Sequence, residues 1–282
     1  MTLEIAKEPN ADAGGPGRRF AILIPARYAS QRFPGKPLAP LVGASGIAKP
    51  LIQRSWDAAC AVPGAAAVFI ATDDERIAEK VREFGGEVVM TSPDCRNGTE
   101  RCADALDRLG AEFDMIVNLQ GDAPLTPGFI VAELVAALAV DDGAAMATAG
   151  LRCSPGTYAH LVSDQEAGRV GGTTVVTNGR GHALYFSKRV IPYVPAGLTD
   201  GHEAVRLHLG LYAYRPEALR AYAAMPPSPL EALEGLEQLR FLEGERPIRL
   251  VSFESVGWDC IELNNPEDVP AIEAILKQRG IV

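Results

Sequence analysis

Three cations, Arg27, Arg32 and Lys36, fall within ten residues and are interleaved with Pro34 and Gly35. Guanidinium and ammonium groups balance the charge of a phosphate chain, and backbone N–H groups in a turn can face its oxygens. Proline and glycine hold such a loop in one conformation. The plain alternative is a solvated basic loop. Further along, Asp122 follows Gln120 and Gly121. One carboxylate beside phosphates suits Mg2+, which binds one or two carboxylates and completes its shell with phosphate oxygens and water. The chemistry implied is nucleotidyl transfer, in which positioning and charge neutralisation do most of the work. No glycine fingerprint of the dinucleotide type and no nucleophile–base–acid triad is evident. Residues 43–49 look faintly like a P-loop but lack its Gly-Lys-Ser/Thr ending.

These side chains need a scaffold, and the pattern around them predicts one. The apolar run 20–24 reads as a buried strand that Pro25 ends. Further short strands are predicted at 67–71, 87–91 and 115–119, with helices at 53–60, 75–84, 100–109 and 127–140. Strand–loop–helix repeated four times predicts an α/β fold, a mostly parallel sheet with helices on both faces. Ligands in such sheets bind at the carboxyl ends of the strands. That rule puts the cationic loop, Thr99, Arg101 and Asp122 on one rim.

The second half changes character. Strands are predicted at 146–151, 173–177, 183–186, 207–214 and 248–253, with a hairpin turn at Asn178-Gly179. His208, Tyr212 and Tyr214 share one strand face by period-two spacing, giving polar tips in an apolar pocket. Helices are predicted at 230–243 and 266–278. On the first of these, Glu231, Glu234, Glu237, Gln238 and Arg240 are polar positions, most of them expected to be solvated.

The chain has 282 residues, 47% hydrophobic and 22% charged, with a net charge of −9. Acidity argues against a nucleic-acid partner, which needs a basic face; a local basic loop on an acidic chain points to one small anionic ligand. No run of about 18 apolar residues occurs, so no membrane span is expected. Residues 1–18 are polar and include Gly14-Gly15-Pro16-Gly17, which reads as a disordered leader before a single domain over 19–282. Five scattered cysteines without a C-x-x-C spacing read as reduced thiols of a cytoplasmic protein.

Several stretches together resemble one family. They are Ile24-Pro-Ala-Arg-Tyr-Ala-Ser-Gln-Arg-Phe-Pro-Gly-Lys-Pro37, Ala71-Thr-Asp-Asp-Glu-Arg-Ile77, Asn97-Gly-Thr-Glu-Arg101, Asn118-Leu-Gln-Gly-Asp122, Ala183-Leu-Tyr-Phe-Ser187, His208-Leu-Gly-Leu-Tyr212 and Leu236-Glu-Gln-Leu-Arg240. The chain is similar over residues 20–278 to the CMP-Kdo synthetases, the 3-deoxy-manno-octulosonate cytidylyltransferase family. The resemblance implies a homodimeric, GT-A-like enzyme with a smaller β-rich acceptor and dimerisation lobe. It implies CTP as substrate, Mg2+ as cofactor, pyrophosphate as product, and a nucleotide-binding half over 19–145 with an acceptor-binding half over 146–282. By matching position, Pro25, Ala26, Arg27, Ser30, Arg32, Lys36, Gly98, Thr99, Arg101 and Gln120 would bind the nucleotide. Arg27, Lys36 and Asp122 would be catalytic. Asp122 and Asn264 would hold the metal, and Gln120, Lys188, His208, Tyr212, Glu237 and Gln238 would meet the acceptor.

This chain also departs from the pattern. The family's Gln-Gly-Asp-Glu-Pro has Ala123 in place of Glu, and its late Gly-Val-Asp-Thr-Pro-Glu-Asp reads Glu262-Leu-Asn-Asn-Pro-Glu-Asp268, with Asn264 at the second metal-binding Asp. Lys188 replaces an Arg, so a fork-shaped carboxylate donor becomes a point charge. An intact nucleotide half with an altered acceptor half points to a small acidic acceptor that brings its own charge, a phosphonate such as phosphonoformate. The alternative acceptor is Kdo or an amino-substituted Kdo, since His208, Tyr212, Glu237 and Gln238 are kept. From other classes, a glycosyltransferase would normally carry Asp-x-Asp, absent at 120–122, and a non-catalytic nucleotide-binding module is the remaining alternative.

Overall fold

The computed structural model describes residues 18–29, 32–110, 112–195, 197–254, 257–258 and 261–282. Of the expected leader only Arg18 lies within these. Strand β1 (Phe20–Ala26) sits inside the main sheet. Its Ile22 and Ile24 pack in one core and its Ala21 and Leu23 in a second core on the other face. Burial on both faces explains a continuous apolar run without alternation. Next come β2 (Pro40–Val42) and β3 (Ala48–Pro50), a separate hairpin whose turn contains the start of the P-loop-like stretch. The first half continues with α1 (Leu51–Cys60), β4 (Ala65–Thr72), α2 (Glu75–Glu83), β5 (Val88–Met90), α3 (Gly98–Arg108), β6 (Met115–Asn118) and α4 (Gly128–Val140). As expected, β1 runs parallel to β4 and to β6, and β4 parallel to β5.

The second half supplies β7 (Met146–Arg152), α5 (Pro155–Glu166), β8 (Thr174–Thr177), β9 (Ala183–Ser187), β10 (Arg206–Tyr214), α6 (Pro216–Ala224), α7 (Pro229–Glu234), α8 (Leu239–Glu243), β11 (Ile248–Phe253) and α9 (Val269–Gln278). The strand order is β11-β7-β10-β6-β1-β4-β5. β10 is antiparallel to both β6 and β7, so it welds the two halves into one sheet. The β8–β9 hairpin turns at Asn178, whose carbonyl accepts the Gly181 N–H at 3.0 Å. Side chains of α1, α2 and α4 fill one core and those of α3, α6 and α8 the other, which makes the fold α/β with a mostly parallel central sheet. A third cluster packs Ile272 and Leu276 of α9 with Leu41, Leu51, Leu125 and Leu263. It anchors the segment 261–264 beside the loop after β6.

Several expectations need correction. Pro25 does not end β1, which runs on to Ala26 with Pro25 opposite Ala71 of β4. The single helix over 230–243 is two helices, because Gly235 takes a left-handed φ of 62° that ends α7, its N–H donating to the Glu231 carbonyl at 2.7 Å. The break leaves Glu237 and Gln238 on a connector. Helices α5 and α6 were not foreseen. α5 buries only Leu161 and therefore shows little apolar periodicity. Cys60, Cys95, Cys102 and Cys153 are free thiols, and Cys260 lies outside the described residues. Among the described residues no helix is long and apolar enough to cross a membrane.

Candidate active site

The carboxyl ends of β1 and β6 and the N-terminus of α3 border a cleft of about 910 Å3. Of the residues predicted from sequence, Pro25, Ala26, Arg27, Arg32, Lys36, Gly98, Arg101, Gln120, Asp122, Glu237 and Asn264 line it. Thr99, Lys188, His208, Tyr212 and Gln238 lie outside that lining, and Ser30 lies outside the described residues. The cationic loop is a folded turn: the Gly35 N–H donates to the Tyr28 carbonyl at 3.0 Å and the Lys36 N–H to that of Phe33 at 3.1 Å. Gly35 has φ 72°, and a Cβ there would stand 3.1 Å from the Tyr28 ring. Both facts demand glycine.

Two loop cations rest on the two side chains expected to hold metal. Lys36 Nζ is 2.6 Å from Asp122 Oδ2, and Arg32 Nη2 donates to Asn264 Oδ1 at 2.9 Å. Hard oxygens already paired with positive charge are the donor type a hard divalent cation uses. Among the described residues no group of three or more His, Cys, Asp or Glu side chains could hold a metal, so a cation here would draw on phosphate oxygens as well. Beside Asp122 stands Glu262, missed by sequence reasoning. Burial pushes its carboxyl up to about 7, and the Asp122 charge pushes the same way, against the Asn264 amide and the Lys36 and Arg32 cations.

The opposite wall is the start of α3. The Asn97 side chain caps the helix, accepting the Glu100 N–H at 2.8 Å, while its own amide donates to the Tyr222 hydroxyl at 2.8 Å. A Cβ on Gly98 would stand 3.4 Å from the Gln120 amide and the Pro25 ring, so these three make a tight wall. Thr99 is buried; its N–H donates to Glu237 Oε2 at 3.2 Å and its hydroxyl meets that of Tyr214 at 2.9 Å. Arg101 is held by Thr91 at 2.6 Å and Asp73 at 3.1 Å.

The connector carrying Glu237 is fixed from below by a buried ion-pair network, which also differs from the sequence expectation. Glu231 and Arg240 are not solvated. Arg240, 2% exposed, forms a fork with both Glu231 oxygens at 2.6 Å and reaches Glu100 Oε1 at 3.1 Å. Glu234 is also occupied, accepting the Ser187 hydroxyl at 2.8 Å and the Lys188 N–H at 3.0 Å. Opposite charges on neighbouring helices were the only available signal, and solvated helix faces carry them too.

Among the residues expected from sequence to meet the acceptor, burial raises the Glu237 carboxyl and lowers the His208 imidazole to about 3. His208 meets the Thr148 hydroxyl at 2.9 Å and packs edge-on to Phe186. The Tyr212 hydroxyl donates to Gln238 Oε1 at 3.4 Å. Among the described residues, Gln238 Nε2 and both amide atoms of the neighbouring-strand residue Asn118 are buried without a partner. Neither residue lines the cleft, although each stands close in sequence to one that does, Gln120 and Glu237.

A family model described as cytidylyltransferase matches residues 21–248. The chain is 44% identical over 258 residues to the 3-deoxy-manno-octulosonate cytidylyltransferase of Maricaulis maris (strain MCS10), covering 92% of this chain and 97% of that protein. It is 40% identical over 254 residues to the 8-amino-3,8-dideoxy-manno-octulosonate cytidylyltransferase of Shewanella baltica (strain OS195), covering 89% and 96%. The solved structure of CMP:2-keto-3-deoxy-manno-octonic acid synthetase complexed with CTP superposes with a TM-score of 0.78 at 35% identity, covering 93% of this chain and 99% of that one.

Proposed function

Because the chain belongs to the cytidylyltransferase family, we propose that it joins the CMP part of CTP to an eight-carbon sugar acid, 3-deoxy-manno-octulosonate or its 8-amino-3,8-dideoxy form. The observation that carries this reading is the charge layout of the cleft, where Arg27, Arg32 and Lys36 face a wall holding Asp122, with Lys36 drawn to Asp122 at 2.6 Å. In the proposed step an acceptor hydroxyl oxygen bonds to the α-phosphorus of CTP. The bond from that phosphorus to its bridging oxygen breaks, pyrophosphate leaves with the electron pair, and the hydroxyl proton is lost. Arg27, Arg32 and Lys36 neutralise the triphosphate; Gly98, Arg101 and Gln120 border the nucleoside end, with Thr99 buried behind them. Asp122, with Asn264, would hold Mg2+, which when bound supplies charge neutralisation and alignment of the phosphates. Glu237, Gln238, Tyr212, His208 and Lys188 make up the acceptor side.

The sugar acid is favoured over the phosphonate expected from Lys188 and Asn264. Relatives named for sugar acids match the chain over 92% and 89% of its length. A homodimer is proposed as well, with exposed Tyr193 and Leu198 offering apolar surface for it. The test is pyrophosphate release from CTP and Mg2+ with each acid in turn. Both sugar acids are expected to support release well above background and phosphonoformate to give none; faster release with phosphonoformate would reverse the assignment.

A further inference from the structure

Beside Asp122 this chain differs at two positions from the pattern that the sequence resemblance implies. Position 264 has lost a carboxylate, as Asn264, and position 262, glycine in the pattern, has gained one, as Glu262. We infer that Glu262 supplies the carboxylate missing at 264, so that Asp122 and Glu262 together hold the divalent cation and Asn264 is a neutral ligand. The inference rests on the nucleotidyl-transfer reading and deepens it.

The backbone makes the exchange workable. Residues 261–264 run without helix or turn alongside Asp122, and the Leu263 N–H donates to the Asp122 carbonyl at 2.9 Å. Leu263 is fully buried in the third core cluster, so it points away from the cleft. The Glu262 carboxyl meets the Asn264 amide, so 262 and 264 emerge on the same side. The register is locked further on, where Asp268 Oδ2 accepts the N–H groups of Asn264 at 2.8 Å and Asn265 at 2.7 Å. A carboxylate moved by two residues therefore stays on the same side.

Space and charge agree. Glu262 lines a side cavity with Gln120, Ala123 and Gly210, and Gln120 borders the main cleft as well. A Cβ added at Gly210 would lie 3.6 Å from Glu262 Oε1 and 3.9 Å from Gln120 Cγ, which places the carboxylate in the side cavity behind Gln120, the residue that lines both spaces. Ala123, where the pattern has Glu, leaves room for it. Asp122 is paired with Lys36, Arg32 rests on Asn264, and the charge of both cations reaches Glu262. Once a triphosphate draws those cations to itself, two neighbouring negative charges remain, and one divalent cation compensates both.

The experiment is Mn2+ binding to the full chain with saturating CTP and no acceptor, read by water-proton relaxation, so no turnover is involved. Glu262→Gln is expected to weaken Mn2+ roughly tenfold. The double variant Glu262→Gly with Asn264→Asp returns the carboxylate to the family position and is expected to recover the unaltered affinity within about threefold. Mn2+ affinity of Glu262→Gln within about twofold of the unaltered protein, alongside tight Mn2+–CTP binding by the latter, overturns this inference alone. Failure of the unaltered protein to bind CTP at all overturns the nucleotide reading and this inference with it.

Discussion

Replacing Lys36 by alanine is expected to lower kcat/KM by about 100-fold, or about 3 kcal/mol of transition-state stabilisation. The ammonium is positioned to neutralise charge on the phosphates, in a site where its side chain is only 15% exposed. A second consequence runs the other way. Without nucleotide, Lys36 occupies Asp122 Oδ2 at 2.6 Å, so it competes with a divalent cation for that oxygen. Lys36→Ala should therefore bind Mn2+ more tightly than the unaltered protein when CTP is absent, while turning over more slowly when CTP is present. Steady-state kinetics and a nucleotide-free metal titration check the two halves. A change in kcat/KM of less than about threefold would return the loop to a solvated surface role.

Arg240→Ala should have the largest effect on stability. It removes the one cation shared by Glu231 and Glu100, which are 11% and 10% exposed, and leaves both carboxylates without that partner. Breaking a buried pair from one side costs about 3–5 kcal/mol, which in a chain of this size lowers Tm on the order of 10 °C. Lysine should not restore it, since a point charge cannot reproduce the fork to both Glu231 oxygens. A comparison within the same network sharpens the test. Arg96 also pairs with Glu100 but is 53% exposed, so Arg96→Ala should cost less than about 1 kcal/mol. Thermal unfolding of the two variants side by side decides it, and equal losses would contradict the assignment of Arg240 as a buried anchor.

The legible parts of this protein are those whose local pattern and tertiary environment agree. β1 is a short apolar run because both its faces are buried, and its loop reads as anion-binding because Arg27, Arg32 and Lys36 alternate with turn formers. The rim rule then places Gln120 and Asp122 without further information. Other features depend on contacts far apart in sequence. β10 joins the central sheet antiparallel, with an irregular register between Leu209 and Tyr212, and no local periodicity records which neighbours a strand will choose. Gly235 breaks a helix that its flanking residues would continue. Glu231 and Arg240 have the composition of a solvated face, and only the approach of α3 turns them into a buried network. Glu262 has no local signature, because a lone glutamate in an irregular segment is ordinary; only the packing of residues 261–264 alongside Asp122 gives it a context.

Phosphorus NMR of CTP incubated with the protein, Mg2+ and 3-deoxy-manno-octulosonate tests the central claim most directly. The account predicts that the α-phosphorus signal of CTP is replaced by a phosphodiester signal of a CMP-linked sugar acid, with pyrophosphate appearing in equal amount. CTP left intact, or broken to CDP and inorganic phosphate with no phosphodiester formed, would contradict it.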